Sequence, residues 1–287
     1  MSKVTNCVDN IQISIGILLF KNSRREVIDC LNSIFRQSAG HHIREVLIRD
    51  QSGGCLEHVA AWEQSQTCEY PIRATSGPNL GFGGGHNALF KTMDAASCAY
   101  LCLNPDGVMH PRAVAEMIAL AKQNQWGGIF EAIQEPVMHP KHFDPATGAT
   151  AWCSAACILY PAAVFRKIGG FDDDFFMYCE DVDLSWRVKA AGFQCYTAAK
   201  AWFYHYAMDR TGRVADIWRS AYLLGHKWRA AKFKLNAFHT LTALVDVEPE
   251  EIRAYVEAHD QHSMEMVFQA SPDFQHGLVF ARQMWTE

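Results

Sequence analysis

The chain has 287 residues, 49% hydrophobic and 20% charged, with a formal net charge of −5. That is globular composition, enough for one large domain or one domain with an appendage. The acidic balance excludes a dedicated nucleic-acid binder, and the longest apolar run, Ile13 to Phe20, is too short to cross a bilayer.

ISIGILLF (13–20) reads as a buried strand, and REVIDCLNSIFRQ follows with Val27, Leu31, Ile34 and Phe35 on one helical face. EVLIRD is a second strand ending at Asp50, CLEHVAAWEQ a helix, and YPIRATSG a third strand. NLGFGGGHN (79–87) comes next, expected as a glycine loop feeding the helix HNALFKTMDAA. CAYLCLNPDG is a fourth strand with its turn, and HPRAVAEMIALAKQNQ a strong helix with Pro111 near its start. This alternation predicts an α/β fold with a Rossmann-like, mostly parallel sheet covered on both faces. Ligands of such sheets bind beyond the carboxyl ends of the strands. Asp50, the glycine stretch and Asn104-Pro105-Asp106 all fall at such ends.

Farther on, TAWCSAACILY reads as a strand and PAAVFRKIGG as a short helix closed by glycine. FDDDFFMYCEDVDLSWRVKAAGF is an acidic loop entering a helix that Gly192 ends, and CYTAAKAWFYHY is strand-like. Residues 209–238 look helical and basic, and the rest, acidic around EPEE, a helical appendage. We therefore divide the chain into 1–208, the binding and catalytic part, and 209–287, a C-terminal helical region packed on it. Ten cysteines contain no C-x-x-C pair. A structural zinc site is not expected, and buried thiols in a reducing, cytoplasmic setting are. The first residues lack the basic lead-in and cleavage site of a signal peptide.

Each polar motif has an ordinary alternative. GFGGGH departs from G-x-G-x-x-G at His86, so the nicotinamide fingerprint is missing. What remains is either a diphosphate cradle at a helix N-terminus or a plain turn. LNPDG holds a carboxylate suited to a divalent cation between phosphates, or is simply a turn of turn formers. Glu180, Asp181 and Asp183 cluster at a helix start, as capping would require. The upstream Asp172, Asp173 and Asp174 among aromatics point instead to a desolvated site in which a general base is tuned. His205, alone in an aromatic strand, is an ordinary core histidine unless Asp106 lies beside it.

Taken in order, Asp50, the glycine stretch with Asn79 and Asn87, Asn104-Pro105-Asp106, GGFDDDFFMYCEDVDLSWR and His205 closely resemble the family 2 glycosyltransferases. These are inverting enzymes of GT-A fold, and the resemblance, over residues 11–235, is to their rhamnosyltransferase-like branch. It implies that Asp50 reads the donor base and that Asn79, Gly81, Gly83, Asn87, Asn104 and Asp106 line the donor site. It also implies that Asp106 and His205 hold Mg²⁺ or Mn²⁺. Asp181, beside Glu180, is then the catalytic base. Trp152, Asp183 and Arg187 lie toward the acceptor, with Arg187 also holding the acidic loop by a salt bridge. Asn104 stands where the family's Asp-x-Asp motif has its first acid. The glycines would let backbone approach the donor diphosphate.

The implied reaction moves a sugar, first L-rhamnose from dTDP-rhamnose and alternatively a UDP-hexose, to a glycan or lipid-linked glycan in surface polysaccharide synthesis. A sugar nucleotidyltransferase would need glycine where Phe20 to Arg25 has none, and a catalytically degenerate binding subunit fits poorly with an intact Glu180-Asp181 pair. The stretch 210–234 carries seven cations and one acid, interleaved with Trp218, Tyr222 and Trp228. It predicts either a packed helix with a basic face or peripheral contact with the inner face of the membrane.

Overall fold

The computed structural model describes residues 10–206 and 211–285. Its first half winds as expected. β1 (Ile13–Leu19), β2 (Ile43–Asp50), β3 (Ile72–Ser76) and β4 (Ala99–Leu103) alternate with α1 (Arg24–Phe35), α2 (Leu56–Glu63) and α3 (Gly81–Lys91). β1 pairs in parallel with both β2 and β4, and β2 with β3. α1 starts where the sequence provides a capping box, with Ser23 and Glu26 satisfying each other's backbone N–H groups. β1 is buried along its whole length. Its Gly16 makes room for Tyr100, whose Oη would lie 1.8 Å from a Cβ there.

The sheet is completed by β5 (Gly107–Met109), β6 (Gly128–Glu135), β7 (Cys157–Pro161) and β8 (Gln194–His205), in the order β3-β2-β1-β4-β7-β6-β8-β5. β7 runs antiparallel to β4 and β6, and β8 runs parallel to β6, so β4, β6 and β8 end on one edge. α1, α2 and α4 (Ala113–Gln123) pack on one face. α3, α5 (Ala162–Lys167) and α6 (Glu180–Ala190) pack on the other. A third apolar cluster joins Val182 and Trp186 of α6 to α7 (Val214–Lys227), α8 (Ala231–Thr242), α9 (Pro249–Glu257) and α10 (Met264–Ala270). The boundary read at 208/209 lies outside the described residues.

Two departures have physical causes. β6 was not legible, because Glu131 and Gln134 interrupt its apolar run. The strand expected from Thr150 begins only at Cys157. Before it, the backbone is satisfied by side chains instead of a ladder. Cys153 N–H donates to Ser185 Oγ, Ser154 N–H to Glu131 and Ala155 N–H to Asp181, and Trp152 O accepts from Lys141.

Candidate active site

The carboxyl edge of β4 carries Asn104 and Asp106. The antiparallel pairing of β5 with β8 sets Gly107 opposite His205, and this brings His205 Nε2 within 3.2 Å of Asp106 Oδ1. Asn104 Nδ2 lies 3.4 Å from the same ring nitrogen. On its far side the ring gives Nδ1 to Gln134 Oε1 at 3.0 Å, and Gln134 Nε2 donates to Ser154 Oγ at 2.7 Å. With the Nδ1 proton committed to Gln134, Nε2 faces a carboxylate oxygen either as an imidazolium N–H or as a lone pair. The lone-pair form can accept from Asn104 Nδ2, and with Asp106 Oδ1 beside it offers the ring nitrogen and carboxylate oxygen that a divalent cation uses. The residues fit such an ion.

Asp181 lies on the same edge. Asn104 N–H donates to Ala156 O at 2.8 Å, and the adjoining Ala155 N–H donates to Asp181 Oδ2 at 3.3 Å. Asp181 Oδ1 accepts from Val182 N–H at 2.8 Å. Burial pushes the Asp181 carboxyl up to about 6, against the pull of these two hydrogen bonds. Glu180, buried and with Oε2 unpartnered, is pushed well above the usual carboxylate range by burial and then by the charge of Asp181. Tyr178 and Cys179, just before them, both have left-handed backbone, φ 70° and 63°. This strained turn is tied down by Ser220 Oγ, which donates to Met177 O at 2.6 Å.

The glycine stretch is not a loop. It is the first two turns of α3, and protein atoms crowd Gly81, Gly83 and Gly85. A Cβ at Gly81, where φ is +74°, would lie 2.1 Å from Phe176 O. One at Gly83 would lie 2.8 Å from Phe171 Cβ, and one at Gly85 2.7 Å from Leu18. Asn79 Oδ1 accepts from Gly81 N–H at 3.0 Å. Asn87 clamps the acidic loop, donating to Phe171 O and Asp173 Oδ1 and accepting from Phe171 N–H. Asp50 also has an internal task. Buried, it accepts from the backbone of Ser52, Gly53, Gly54 and Cys55 and from Ser52 Oγ. Burial acts to raise its pKa, but these bonds outweigh it and hold the carboxyl below its ordinary value. The base-reading role expected of Asp50 therefore meets a carboxylate already engaged by its own turn.

The residues expected toward the acceptor are internal as well. Asp183 is fully buried and accepts from Arg187 Nε (2.7 Å), Trp228 Nε1 (2.9 Å) and His262 Nε2 (2.9 Å). Arg187 also donates to Ile168 O and Gly170 O, so it does fasten the entry to the acidic loop. Trp152 is buried beneath the C-terminal segment, with Nε1 donating to Val279 O and Lys141 over its ring. Asp172, Asp183 and His262 place ligand atoms within 4.8 Å of one another. Lys227 already stands 2.8 Å from Asp172, and Arg187 on Asp183, so this group carries its own cations. The described part of 210–234 keeps Arg213, Arg219, Arg229 and Lys232 exposed. Tyr222, Leu223, Leu224 and Trp228 are core residues, Lys227 is buried and Lys234 pairs with Glu257. Arg210 lies outside the described residues. No helix among the described residues is long and apolar enough to cross a membrane.

No protein-family model matches the chain. Among solved structures, the mannosyltransferase PcManGT from Pyrobaculum calidifontis, in complex with GDP-Man and Mn²⁺, aligns with a TM-score of 0.57 at 12% identity. That alignment covers 91% of this chain and 86% of that one. GalNAc-T7 with UDP, GalNAc and Mn²⁺ gives 0.61 at 10% identity, covering 91% and 56%. TarS of S. aureus gives 0.58 at 12% identity, covering 86% and 42%. This is the GT-A glycosyltransferase fold. In sequence, parts of the chain are similar to rhamnosyltransferases. The N-acetylglucosaminyl-diphospho-decaprenol L-rhamnosyltransferase of Mycobacterium tuberculosis is 29% identical over 151 residues, 47% of each chain. The rhamnosyltransferase WbbL of Escherichia coli K12 is 38% identical over 56 residues, 20% of this chain and 21% of that one. The matched part thus spans about half the length, or less, of these relatives. In this GT-A chain, Gln134, Ser154, Lys227 and His262 escaped the sequence reading. Only Gln134, which with Glu131 breaks the apolar run of β6, left a signal there.

Proposed function

We propose that the chain is an inverting, metal-dependent glycosyltransferase that moves a sugar from a nucleoside-diphosphate donor to a hydroxyl of a glycan. The observation that carries this reading is Asp181. Its carboxyl is raised to about 6, and a backbone fixed to Asn104 holds it on the same sheet edge as Asp106 and His205. A base near neutral pKa is ionised at working pH and still takes a proton readily. Asp181 accepts the proton of the acceptor hydroxyl as that oxygen attacks the anomeric carbon. The sugar–phosphate bond breaks on the opposite face, which inverts the configuration. Asp106 and His205 would hold Mg²⁺ or Mn²⁺, which supplies charge neutralisation for the departing diphosphate. Neighbouring folds carry Mn²⁺ and nucleotide or nucleotide sugar, which supports this.

L-rhamnose from dTDP-rhamnose is the first donor, on the strength of the rhamnosyltransferase relatives. A UDP-hexose is the second. Asn79, the α3 glycines and Asn104 border the donor. The acceptor is a lipid-linked glycan, as the name of the M. tuberculosis relative suggests, reached from the cytoplasmic side of the membrane. The test is a thermal-shift panel of nucleoside diphosphates and their sugars with and without Mn²⁺, followed by release of nucleoside diphosphate. No shift with any donor would overturn the reading.

A further inference from the structure

The first turn of α6 is held from a distant part of the chain. Asp183 sits two residues after Asp181 and is closed off from solvent. Two of its three donors, Trp228 Nε1 and His262 Nε2, belong to the C-terminal region. His262 is itself fixed on every side. Its N–H donates to Lys227 O at 2.9 Å, its carbonyl accepts from Arg229 Nε at 2.8 Å, and its ring packs on Trp228 with centroids 4.5 Å apart. Lys227 reaches from the same place to Asp172 and Asp174 of the acidic loop. The carboxylate of Asp183 is not a cap, because every donor it accepts from is a side chain and none is a backbone N–H of the first turn.

We infer that His262 and Trp228 are positioning residues. Acting through Asp183, they set the orientation and the burial of Asp181. The inference rests on Asp181 being the base. Remove the His262 donor and a buried carboxylate loses one of three hydrogen bonds. The first turn of α6 then shifts toward water, and the Asp181 carboxyl returns toward its ordinary pKa. The structural consequence is local, because α6 keeps Trp186 in the third apolar cluster.

The experiment compares wild type, His262→Ala, His262→Gln, Trp228→Phe and Asp181→Asn in steady-state transfer and in the pH profile of kcat. Expected for His262→Ala are a kcat about tenfold lower, a donor KM within twofold, and an acid limb moved to lower pH. His262→Gln, whose amide can donate to Asp183, restores most of both. Unchanged kcat and limb in His262→Ala overturn the inference, as does loss of kcat with an unmoved limb. If His262→Ala does not fold, Trp228→Phe decides by the same readouts. Full turnover in Asp181→Asn removes the base, and the inference with it. An inactive Asp181→Asn beside a normal His262→Ala overturns the positioning role alone.

Discussion

His205 Nε2 stands 3.2 Å from Asp106 Oδ1, although 99 residues separate them in the chain. Gln134 turns the imidazole to make that contact. Asp106→Ala and His205→Ala should each abolish the Mn²⁺ dependence of nucleoside-diphosphate binding in calorimetry. Gln134→Leu keeps both ligands but frees the ring and its tautomer, and should weaken Mn²⁺ binding roughly 10- to 100-fold. Mn²⁺-independent binding in wild type would sink the assignment.

Asp181→Asn keeps the shape of the side chain but cannot accept a proton. Transfer should fall by about two to four powers of ten, with donor affinity retained. Glu180→Gln should retain most activity, since burial already favours the protonated acid there. In wild type the acid limb of kcat/KM should lie near the value of about 6 set by burial of Asp181. A limb near 4 would contradict it.

Asp181 and Asp183 of α6 should act oppositely on stability. Asp181 is raised in the folded chain, so the native state binds the proton more tightly than the unfolded one. Its contribution is unfavourable above about pH 6 and disappears below the ordinary value near 4. Asp181→Asn should therefore raise the Tm at pH 7.5 and leave it unchanged at pH 3.5. Asp183 is depressed to about 2: burial opposes this, and Arg187 and His262 outweigh it. Its stabilisation is full above the ordinary carboxylate value and is lost as pH falls toward 2. Asp183→Asn should destabilise by about 3–5 kcal/mol at pH 7, since it removes the charge partner of the largely enclosed Arg187.

Gly81→Ala and Gly83→Ala should each cost roughly 1–3 kcal/mol by crowding. Gly81→Ala should be the worse, because it meets backbone and a positive φ together. Gly84→Ala, whose Cβ would meet only Leu80 Cβ at 3.2 Å and Asp173 Oδ1 at 3.6 Å, should be nearly neutral in denaturant melts. Equal losses at all three would mean that helix packing is not what selects glycine.

The winding of β1 to β4 was legible because branched apolar runs and helical spacing report local burial. The edge carrying Asp106 and His205 was legible only through resemblance. Their contact depends on β5, three residues long and patternless. The internal partners of Asp50, Asp183 and Trp152 were not legible, because a carboxylate or indole reads the same in sequence whether it faces a ligand or a buried amide. Lys227 lay in a stretch whose charge suggested a solvated face, and His262 in the acidic appendage beyond it, which carried no motif. Burial of a lysine between two aspartates leaves no trace in local pattern.

The pairing of β5 with β8 has a bearing on assembly. Gly107 and His205 pair across a chain segment that contains β6, β7 and α6. Contacts that close so long a loop form late and depend on everything between. A truncated or misfolded chain can keep a native-looking Rossmann half and still lack the Asp106–His205 pair. A spectroscopic probe placed beside that pair would therefore distinguish a chain with its second half in place from one with the Rossmann half alone.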